Sequence, residues 1–588
     1  MYSLKEKLNK VIALILAATL SAALFEGCDG SGEKKFVSLT VSTTTEQADI
    51  VTAMAKAFNL KTKDVKVSVK VYSSENEKNY YLSHNEDDSE LITFNFAQEA
   101  IYNSDSLLKL DRMNVVNRYL VSTINYLKDY EGSLYVLPSN GRYYTRIYNT
   151  DALEKYGLSV PQTIGELLTF SSRLKASSSG VGYSSATIGG TDSVLFALMS
   201  VAYPLFLNTV KGTAFLNGVI NGELSFNDEE FIDSWREVFD YFKLLYDNNF
   251  YSLAAVNKTA DEELKYFKSG QAAAKQNDGK ANLSSLFKTV NGKCAPFVGK
   301  TARDACIGSA PLFYLSLTKK AGESYEVQAA TKKFMSYFAS PEGQSFVNAY
   351  LKNDEYVSYF KGEGALSEVY APVADRKKTG MLFINDSFNY AFGFCVSDLC
   401  DYLNSKTSLD SLLTIVDEKI KNGYNSESFV IAEVEKKYEL TDDVYKESSA
   451  IGELFIQALA ARSSYLDCAA IPSSYIKCSL LKGTLTENDL EAVFPSKPLC
   501  YAEVTADDFL KLCLDIAENS YPLVYGAKLS NGKLYKKSGK EYLPTERIYV
   551  LIPSDKKPLL SESAVPGTEI TSKTILLSYF GTNYTVLR

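Results

Sequence analysis

Histidine limits the chemistry that this chain can perform, because the sequence contains only one, His84. A single imidazole excludes a His-rich dinuclear metal site and most Ser-His-Asp and Cys-His catalytic sets. His84 itself lies in the polar run SHNEDDS, which predicts a solvated loop position. We therefore expect no catalytic residues, no metal site and no cofactor, and we expect the polar residues to bind a ligand.

Candidate binding residues follow the ends of predicted strands. Phe36–Val41, Lys66–Tyr72 and Leu91–Asn95 are predicted strands separated by helical segments. This alternation predicts a parallel sheet with helices on both faces, and ligands of such sheets bind beyond the carboxyl ends of the strands. The residues at those ends are Thr44, Thr45, Glu46, Asn95 and Phe96.

A tyrosine-rich segment, residues 131–168, has a regular order of predicted elements. A short apolar strand at Leu134–Leu137 is followed by a turn and by a second strand at Arg142–Tyr148. The second strand contains Tyr143 and Tyr144. A tyrosine ring is flat and apolar with a polar tip, which suits contact with a sugar.

This segment resembles the bacterial extracellular solute-binding proteins of family 1, the sugar-binding lipoproteins of ABC importers. Two further family signatures match Phe267–Ala274 and Ala329–Gln344, and the resemblance extends over about Lys35 to Gly423. Ile164 stands where the family usually has Trp. The residues kept from the family pattern are Tyr135, Pro138, Tyr148, Asn149, Gly157, Leu158, Pro161, Thr163, Glu166 and Leu167.

The resemblance implies an α/β fold for residues 36–424, a type II periplasmic-binding-protein-like clamp of two interleaved lobes with hinge crossings. In the family, the loop at Lys275–Gly279 faces the ligand, which implies hydrogen-bonding roles for Asn277 and Asp278. Phe96, Tyr143 and Tyr144 are then expected to stack on a sugar face. Trp235, which has apolar neighbours at helical spacing, is expected in the core.

The first 28 residues are predicted to be an export signal. Lysines precede an uncharged apolar stretch at Val11–Leu24, as in a signal peptide. Cys28 follows Gly27 in a sequence that resembles a lipobox, which implies lipidation of Cys28. Residues 29–35 would tether the chain to the outer face of the cytoplasmic membrane, so an extracytoplasmic location is expected.

Beyond the clamp, residues 425–448 are predicted to form a linker to a further unit at 449–588. Within the linker, Glu433–Leu440 is predicted to be a charged helix. In the further unit, Asp489 comes three residues after Thr486, which predicts a short helix capped by the threonine.

The further unit resembles, over about Ser449–Asp555, the C-terminal substrate-binding domain of bacterial 5'-nucleotidases, which implies an α+β domain. The match is best over Gly483–Pro495. Pro472–Lys477 stands where that family has Asn-Gly-Gly-Gly-Ile-Arg, and Ser496 replaces the Phe that stacks on the base. These departures, together with the single histidine, argue against hydrolysis and against nucleotide binding.

Eight cysteines follow Cys28. An exported chain with an even number of cysteines permits disulfides, and a Cys294–Cys306 pair and pairs within the C-terminal unit are expected. The alternative is that these residues are buried free thiols.

The leading hypothesis is a lipid-anchored receptor that captures a solute, a sugar or oligosaccharide, and delivers it to ABC permease subunits. The net charge of −9, without a long basic run, argues against nucleic-acid binding. Two alternatives remain open: a nucleotide-related hydrolase or its accessory, and a surface scaffold whose cleft has decayed.

Overall fold

The structure is a computed structural model that describes most of the chain. The predicted signal at 1–28 with Cys28, the tether at 29–35 and Asp278 lie outside the described residues. The described residues are 36–129, 131–177, 186–187, 192–220, 223–248, 250–251, 260–277, 279, 282–351, 355–361, 368–373, 376, 382–384, 392–424, 430–441, 449–561 and 564–582.

Helices occur throughout the described part of the chain. They are α1 Ala48–Lys61, α2 Glu75–Ser83, α3 Ala97–Tyr102, α4 Val121–Tyr126, α5 Thr150–Lys155, α6 Ile164–Ser177, α7 Asp192–Ala202, α8 Val210–Ile220, α9 Ile232–Asp247, α10 Ala260–Lys268, α11 Leu283–Leu286, α12 Tyr325–Phe338, α13 Ser345–Tyr350, α14 Val396–Leu403, α15 Leu409–Tyr424, α16 Ala450–Ala460, α17 Glu487–Val493, α18 Ala506–Asn519 and α19 Ser572–Thr582. No helix among these residues combines the length and apolar character that crossing a membrane requires.

Strands alternate with these helices. They are β1 Val37–Thr44, β2 Val65–Tyr72, β3 Leu91–Phe94, β4 Leu137–Pro138, β5 Gly141–Asn149, β6 Ala186–Thr187, β7 Ala274–Asn277, β8 Gly292–Ala295, β9 Ile307–Pro311, β10 Tyr314–Leu317, β11 Leu382–Ile384, β12 Val430–Val434, β13 Cys468–Pro472, β14 Gly483–Thr486, β15 Pro498–Thr505, β16 Pro522–Tyr525, β17 Ala527–Ser530, β18 Lys533–Lys536, β19 Arg547–Pro553 and β20 Val565–Thr571.

The first lobe is built on a sheet of order β2-β1-β3-β10-β4. β1 runs parallel to both β2 and β3, so the predicted parallel arrangement is confirmed there, whereas β10 runs antiparallel to its neighbours. Every residue of β3 is buried, as expected for a central strand covered on both faces. The carboxyl ends of β1 and β3 therefore lie at one edge of this sheet.

The second lobe is built on a sheet of order β11-β9-β5-β7-β6, with β8 also paired to β5. Its core contains Trp235 of α9, which is fully buried among the rings of Phe206, Phe215, Phe226 and Phe392. The expectation that Trp235 belongs to the core is confirmed. Together the two sheets form the α/β clamp that the sequence predicts.

The C-terminal unit has a sheet of its own, with the order β16-β13-β19-β15-β20. One face of this sheet contacts α18, and α16 and α19 lie in the hydrophobic cluster on the other face. The predicted cap is present, since Asp489 N donates to Thr486 Oγ1 at 3.2 Å and Thr486 N donates to Asp489 Oδ2 at 2.9 Å. The unit is thus an α+β arrangement of helices on both sides of one mixed sheet.

This C-terminal unit packs against helix α2 of the first lobe. Tyr80 is almost fully buried in the core of the C-terminal unit, and its hydroxyl oxygen accepts a hydrogen bond from Leu481 N at 2.7 Å. The Tyr81 hydroxyl accepts a second bond, from Ser479 N at 3.3 Å. The two tyrosine hydroxyls therefore satisfy backbone donors of the C-terminal unit.

His84 lies in a turn, as predicted, but it also belongs to the same contact and is half-buried. The residue caps the carboxyl end of α2, with its ring 4.6 Å from that of Tyr80. Its Nε2 lies 3.3 Å from Thr484 O, and close by Lys437 pairs with Glu86 at 3.3 Å. The neighbouring unit, which is distant in sequence, covers part of His84 and leaves the residue half-buried.

The prediction of a helix at Glu433–Leu440 is wrong. Residues 430–434 form β12, which pairs antiparallel with β14 at residues 483–486. Ile431, Ala432 and Val434 are buried in this strand, which overlaps the start of the charged stretch. The part of the predicted linker that the structure describes is thus incorporated into the C-terminal unit.

The described cysteines are free thiols, so the expected Cys294–Cys306 disulfide is not formed. Cys294 lies in the hydrophobic cluster of the first lobe and hinge, where its thiol donates to Thr145 Oγ1 at 3.2 Å. Cys306 lies in the cluster of the second lobe and pairs in register with Phe297. The two side chains belong to different cores, and burial raises the pKa of the Cys294 thiol to about 12.

Candidate functional site

The three predicted site residues after β1 differ in their surroundings. Thr44 is buried, and its Oγ1 has no hydrogen-bond partner among the described residues. Thr45 and Glu46 are exposed, and Thr45 N donates to Tyr72 O at 3.1 Å. This edge of the first lobe therefore presents a hydroxyl and a carboxylate beside an unsatisfied buried hydroxyl.

Asn95, after β3, is held by a chain of side chains that sequence reasoning missed. Thr93 Oγ1 donates to Thr43 Oγ1 at 2.8 Å, and Thr43 Oγ1 donates to Gln47 Oε1 at 3.3 Å. Gln47 Nε2 in turn donates to Asn95 Oδ1. The signal for Gln47 was available, because it directly follows the loop at residues 44–46. This chain fixes the amide of Asn95 at the sheet edge.

The backbone at Asn95 and Phe96 is held by a buried carboxyl group. Glu99 Oε2 accepts from Asn95 N at 3.2 Å and from Phe96 N at 3.5 Å. Burial, and after it the neighbouring Glu75 carboxylate, raises the pKa of the Glu99 carboxyl to about 8. Glu99 is therefore largely protonated at neutral pH, and its carboxyl group orders the start of α3.

A buried ammonium group lies beside this turn. Lys78 of α2 is fully buried, pairs with Glu75, and donates to Thr93 O. Its Nζ lies 4.6 Å from the ring centroid of Phe94. Because removing a charge from water is costly unless it is paired, Lys78 and Glu75 are expected to stabilise each other. Lys78 links α2 to the strand that ends at the candidate site.

Two of the chain segments that join the lobes lie side by side. The first runs from Pro138 of β4 to Gly141 of β5, and the second from Pro311 of β9 to Tyr314 of β10. A Cβ at Gly141 would lie 2.2 Å from Ala310 O, so only glycine permits the two crossings to approach so closely.

The crossings are also linked by hydrogen bonds. Ser139 Oγ accepts from Leu312 N at 3.1 Å and from Phe313 N at 3.0 Å. Asn140 N donates to Gln344 Oε1 at 2.7 Å, which connects the first crossing to the turn before α13. These side chains tie the crossings into one hinge.

Tyr143 and Asn277 of the second lobe are brought together. The Tyr143 ring is fully buried and stacked on Tyr370, with ring centroids 4.5 Å apart. Asn277 Nδ2 donates to Thr145 Oγ1 at 3.1 Å and to the Tyr370 hydroxyl at 3.2 Å. In this conformation both side chains hold β5, β7 and the segment around Tyr370 in place.

Tyr144 and Phe96 are the more accessible aromatic candidates, since both are half-buried. Tyr144 faces the opposite side of β5 from Tyr143, and its ring lies 5.3 Å from that of Phe196. Phe96 begins the turn to α3. The predicted residues thus form a first-lobe set at the ends of β1 and β3, and a second-lobe set on β5 and β7.

The strand register places both sets next to the hinge. Phe94, which precedes Asn95, is paired with Tyr314, and Tyr314 is paired with Pro138 at the first crossing. Tyr143 follows the same crossing by two residues. The two sets therefore belong to different lobes but are both connected to the segments about which those lobes would rotate.

The sequence matches a family model described as a bacterial extracellular solute-binding protein. The match covers residues 53–394, which is more than half of the 588-residue chain. It includes the second-lobe sheet, the first-lobe sheet apart from β1, and both of these crossings, and it ends before the C-terminal unit. No curated protein sequence matches the chain.

Solved structures with the same fold include three solute-binding proteins. A family 1 extracellular solute-binding protein from Bifidobacterium longum subsp. infantis is 16% identical, with a TM-score of 0.55 over 66% of this chain and 99% of its own. The binding protein MsmE of Bacillus subtilis subsp. subtilis strain 168, in an open conformation, is 16% identical, with a TM-score of 0.52 over 67% and 98%. The solute receptor AcbH, described as exclusively preferring β-D-galactopyranose, is 13% identical, with a TM-score of 0.51 over 66% and 97%.

Proposed function

Because the chain belongs to the bacterial extracellular solute-binding protein family, we propose that it captures a carbohydrate outside the cell for an ABC importer. The observation that carries this proposal is the family match across two lobes that are joined by a hinge. The galactopyranose preference of AcbH, which shares the fold, supports a sugar as the ligand.

The side chains of the first-lobe set suit hydroxyl groups. Thr44 and Thr45 can donate and accept, Glu46 accepts, and Asn95 offers an amide. Phe96 supplies an apolar ring that can cover one face of a pyranose. On the second lobe, Tyr144, Asn277 and Asp278 are proposed to contribute, with Tyr143 positioning β5, which contains Tyr144 and pairs with β7.

Capture would proceed by rotation of the lobes about the hinge. A ligand that contacts both lobes binds the closed form more tightly than the open form, and so shifts the population toward closure. The Ser139 and Asn140 hydrogen bonds maintain the crossings, while φ and ψ changes in the same segments permit the rotation. The closed form would then be recognised by the permease subunits.

We further propose that acylation of Cys28 anchors the receptor to the outer face of the cytoplasmic membrane. The C-terminal unit is proposed to be a nucleotidase-like domain without catalysis, because the motif positions at Pro472–Lys477 and Ser496 lack the family's functional residues. Its contacts to α2 support a role as a fixed extension of the first lobe.

A second candidate function is a surface scaffold with a decayed cleft. The observation that favours it is that two predicted ligand-binding side chains contact other residues of the protein. The Tyr143 ring stacks on Tyr370, and the Asn277 amide donates to Thr145 Oγ1. In that case the C-terminal unit, and not the clamp, would provide the functional surface.

Melting temperatures in the presence of saccharides, peptides and nucleosides separate the two candidates. A ligand at a hundred times its dissociation constant stabilises a protein by about 2.7 kcal/mol, and this stabilisation raises the melting temperature measurably. We expect at least one saccharide to act in this way, and Asn95→Ala to reduce its effect. Asn404→Ala, an exposed position on the second lobe, is the matched control. A response confined to peptides or nucleosides, or no response at all, would reject the carbohydrate receptor.

A further inference from the structure

Several lysines surround the amino-terminal edge of the first lobe. We name Lys61, Lys63, Lys66, Lys332 and Lys333 the basal lysine patch, and all five are exposed. They come from the end of α1, the start of β2 and the middle of α12. This edge is opposite the candidate ligand site, because strand β1 begins here and ends at Thr44.

Local contacts bring these elements together. Lys333 pairs with Asp64, and Val37 N donates to Asp64 O at 2.9 Å. Lys66 Nζ lies 5.6 Å from the ring centroid of Phe36, the first described residue. The patch therefore adjoins the first described residues of the chain.

The patch also borders an open surface depression of about 430 Å³. Phe58 and Tyr337 form an apolar part of its wall, and Lys61, Lys332 and Lys333 lie around it. Ammonium groups around an apolar wall suit a molecule with an anionic head and an apolar body. A phospholipid has this chemistry.

The charge of the patch is opposite to that of the whole protein. Among the described residues, two of its five lysines pair with carboxylates, Lys61 with Glu342 and Lys333 with Asp64. The chain as a whole has a net charge of −9, which repels it from an anionic membrane. An anionic membrane therefore attracts the basal lysine patch although it repels the protein as a whole.

Chain length gives the third argument. If Cys28 is acylated, as proposed above, residues 29–36 connect the membrane to Val37. Eight residues reach at most about 28 Å when fully extended. The edge of the first lobe that contains the patch must then stay within that distance of the lipid headgroups, whereas other surfaces can lie farther away.

We propose that the basal lysine patch is a membrane-contact surface that binds anionic phospholipid headgroups and orients the anchored receptor. Two exposed apolar side chains at this edge, Phe36 and Leu60, are available to enter the headgroup region. The contact holds this edge of the first lobe at the lipid surface. This inference depends on the proposed acylation of Cys28.

Lysine modification in the anchored full-length protein tests the proposal. The acylated chain is placed in nanodiscs of phosphatidylglycerol or of phosphatidylcholine, treated with a water-soluble amine-reactive ester, and analysed by mass spectrometry. Lys61 and Lys333, whose side chains are 49% and 50% exposed, should react at least about five-fold more slowly on phosphatidylglycerol than on phosphatidylcholine. A factor of about five is the gain in binding constant that one lysine contributes at an anionic membrane surface. Lys300, which is 52% exposed and paired with Glu237 on the second lobe, is the matched control.

Salt and substitution complete the test. In 1 M salt the screening length is about 3 Å, so the difference between the two lipids should disappear. The double variant Lys332→Gln/Lys333→Gln should lose the protection of Lys61. Equal reaction rates on the two lipids, or equal slowing at Lys300, would refute the patch as a membrane contact. Intact mass shows separately whether Cys28 is acylated, and an unmodified cysteine would refute the anchor on which the inference depends.

Discussion

The contact between the C-terminal unit and α2 makes a quantitative prediction at Tyr80. The Tyr80 hydroxyl is the acceptor for Leu481 N at 2.7 Å, in a site that is almost fully buried. Tyr80→Phe keeps the ring and removes this oxygen, which leaves a buried backbone donor without a partner. Such a loss costs about 1–3 kcal/mol. We therefore expect the local stability of this contact to fall by that amount.

Hydrogen exchange in the full-length protein measures this loss directly. A change of about 1–3 kcal/mol corresponds to about five- to 150-fold faster exchange of the Leu481 amide. Tyr81→Phe should have a smaller effect, because its bond to Ser479 N is longer, 3.3 Å, and the ring is only half-buried. Tyr325→Phe, on an exposed tyrosine of the first lobe, is the control and should change exchange at neither amide.

The result that would refute this reasoning is equally specific. Unchanged exchange at Leu481 in Tyr80→Phe would mean that the C-terminal unit does not rest on α2 in solution. Faster exchange in the Tyr325→Phe control by the same factor would mean that the effect is not local. Either outcome would remove the basis for treating the unit as an extension of the first lobe.

Three further predictions concern the cores and the candidate site. The pKa of Glu99 in the folded state, about 8, lies above the ordinary 4.5, so the folded state keeps a proton that the unfolded state loses. The free energy of unfolding should therefore fall between about pH 5 and pH 8, by at most about 1.4 kcal/mol per pH unit. Glu99→Gln should reduce this pH dependence, measured by urea unfolding. Trp235→Ala should cost about 3–5 kcal/mol, followed by circular dichroism because no other tryptophan is present. Reductant should leave the melting temperature unchanged, and Cys294 and Cys306 should be alkylated only after unfolding; a lowered melting temperature would contradict free thiols.

Local signals allowed much of the clamp to be predicted. The tyrosine-rich stretch Arg142–Tyr148, which follows a turn, was predicted to be a strand, and β5 spans Gly141–Asn149. Thr486 and Asp489 predicted a cap, which both side chains form. These features depend on residues within a few positions of one another, so the sequence contains the information that determines them.

Features that depend on distant partners were not predictable in this way. The β12 strand exists because β14, some fifty residues later, pairs with it. His84 is held by Thr484 O, and its polar neighbours in sequence give no indication of that contact. Pattern reasoning assigns such residues to solvent, because the burying surface lies elsewhere in the chain.

The candidate site shows the same limit. The ends of β1 and β3 were predictable from the parallel order of the strands. The enclosure of Tyr143 by Tyr370 was not, since it depends on a segment more than two hundred residues away. Arg146, on the same strand, is fully buried with its guanidinium 4.8 Å from the Phe250 ring centroid, and no local pattern predicts a buried arginine.

The central claim is that a saccharide closes the two lobes about the hinge at Ser139 and Asn140. Small-angle X-ray scattering of the full-length protein, without ligand and with the saccharide that most raises the melting temperature, tests it most directly. The account predicts a smaller radius of gyration with the saccharide, and no such change in Asn95→Ala at the same concentration. A saccharide that binds without any compaction, or compaction that persists in Asn95→Ala, would contradict it.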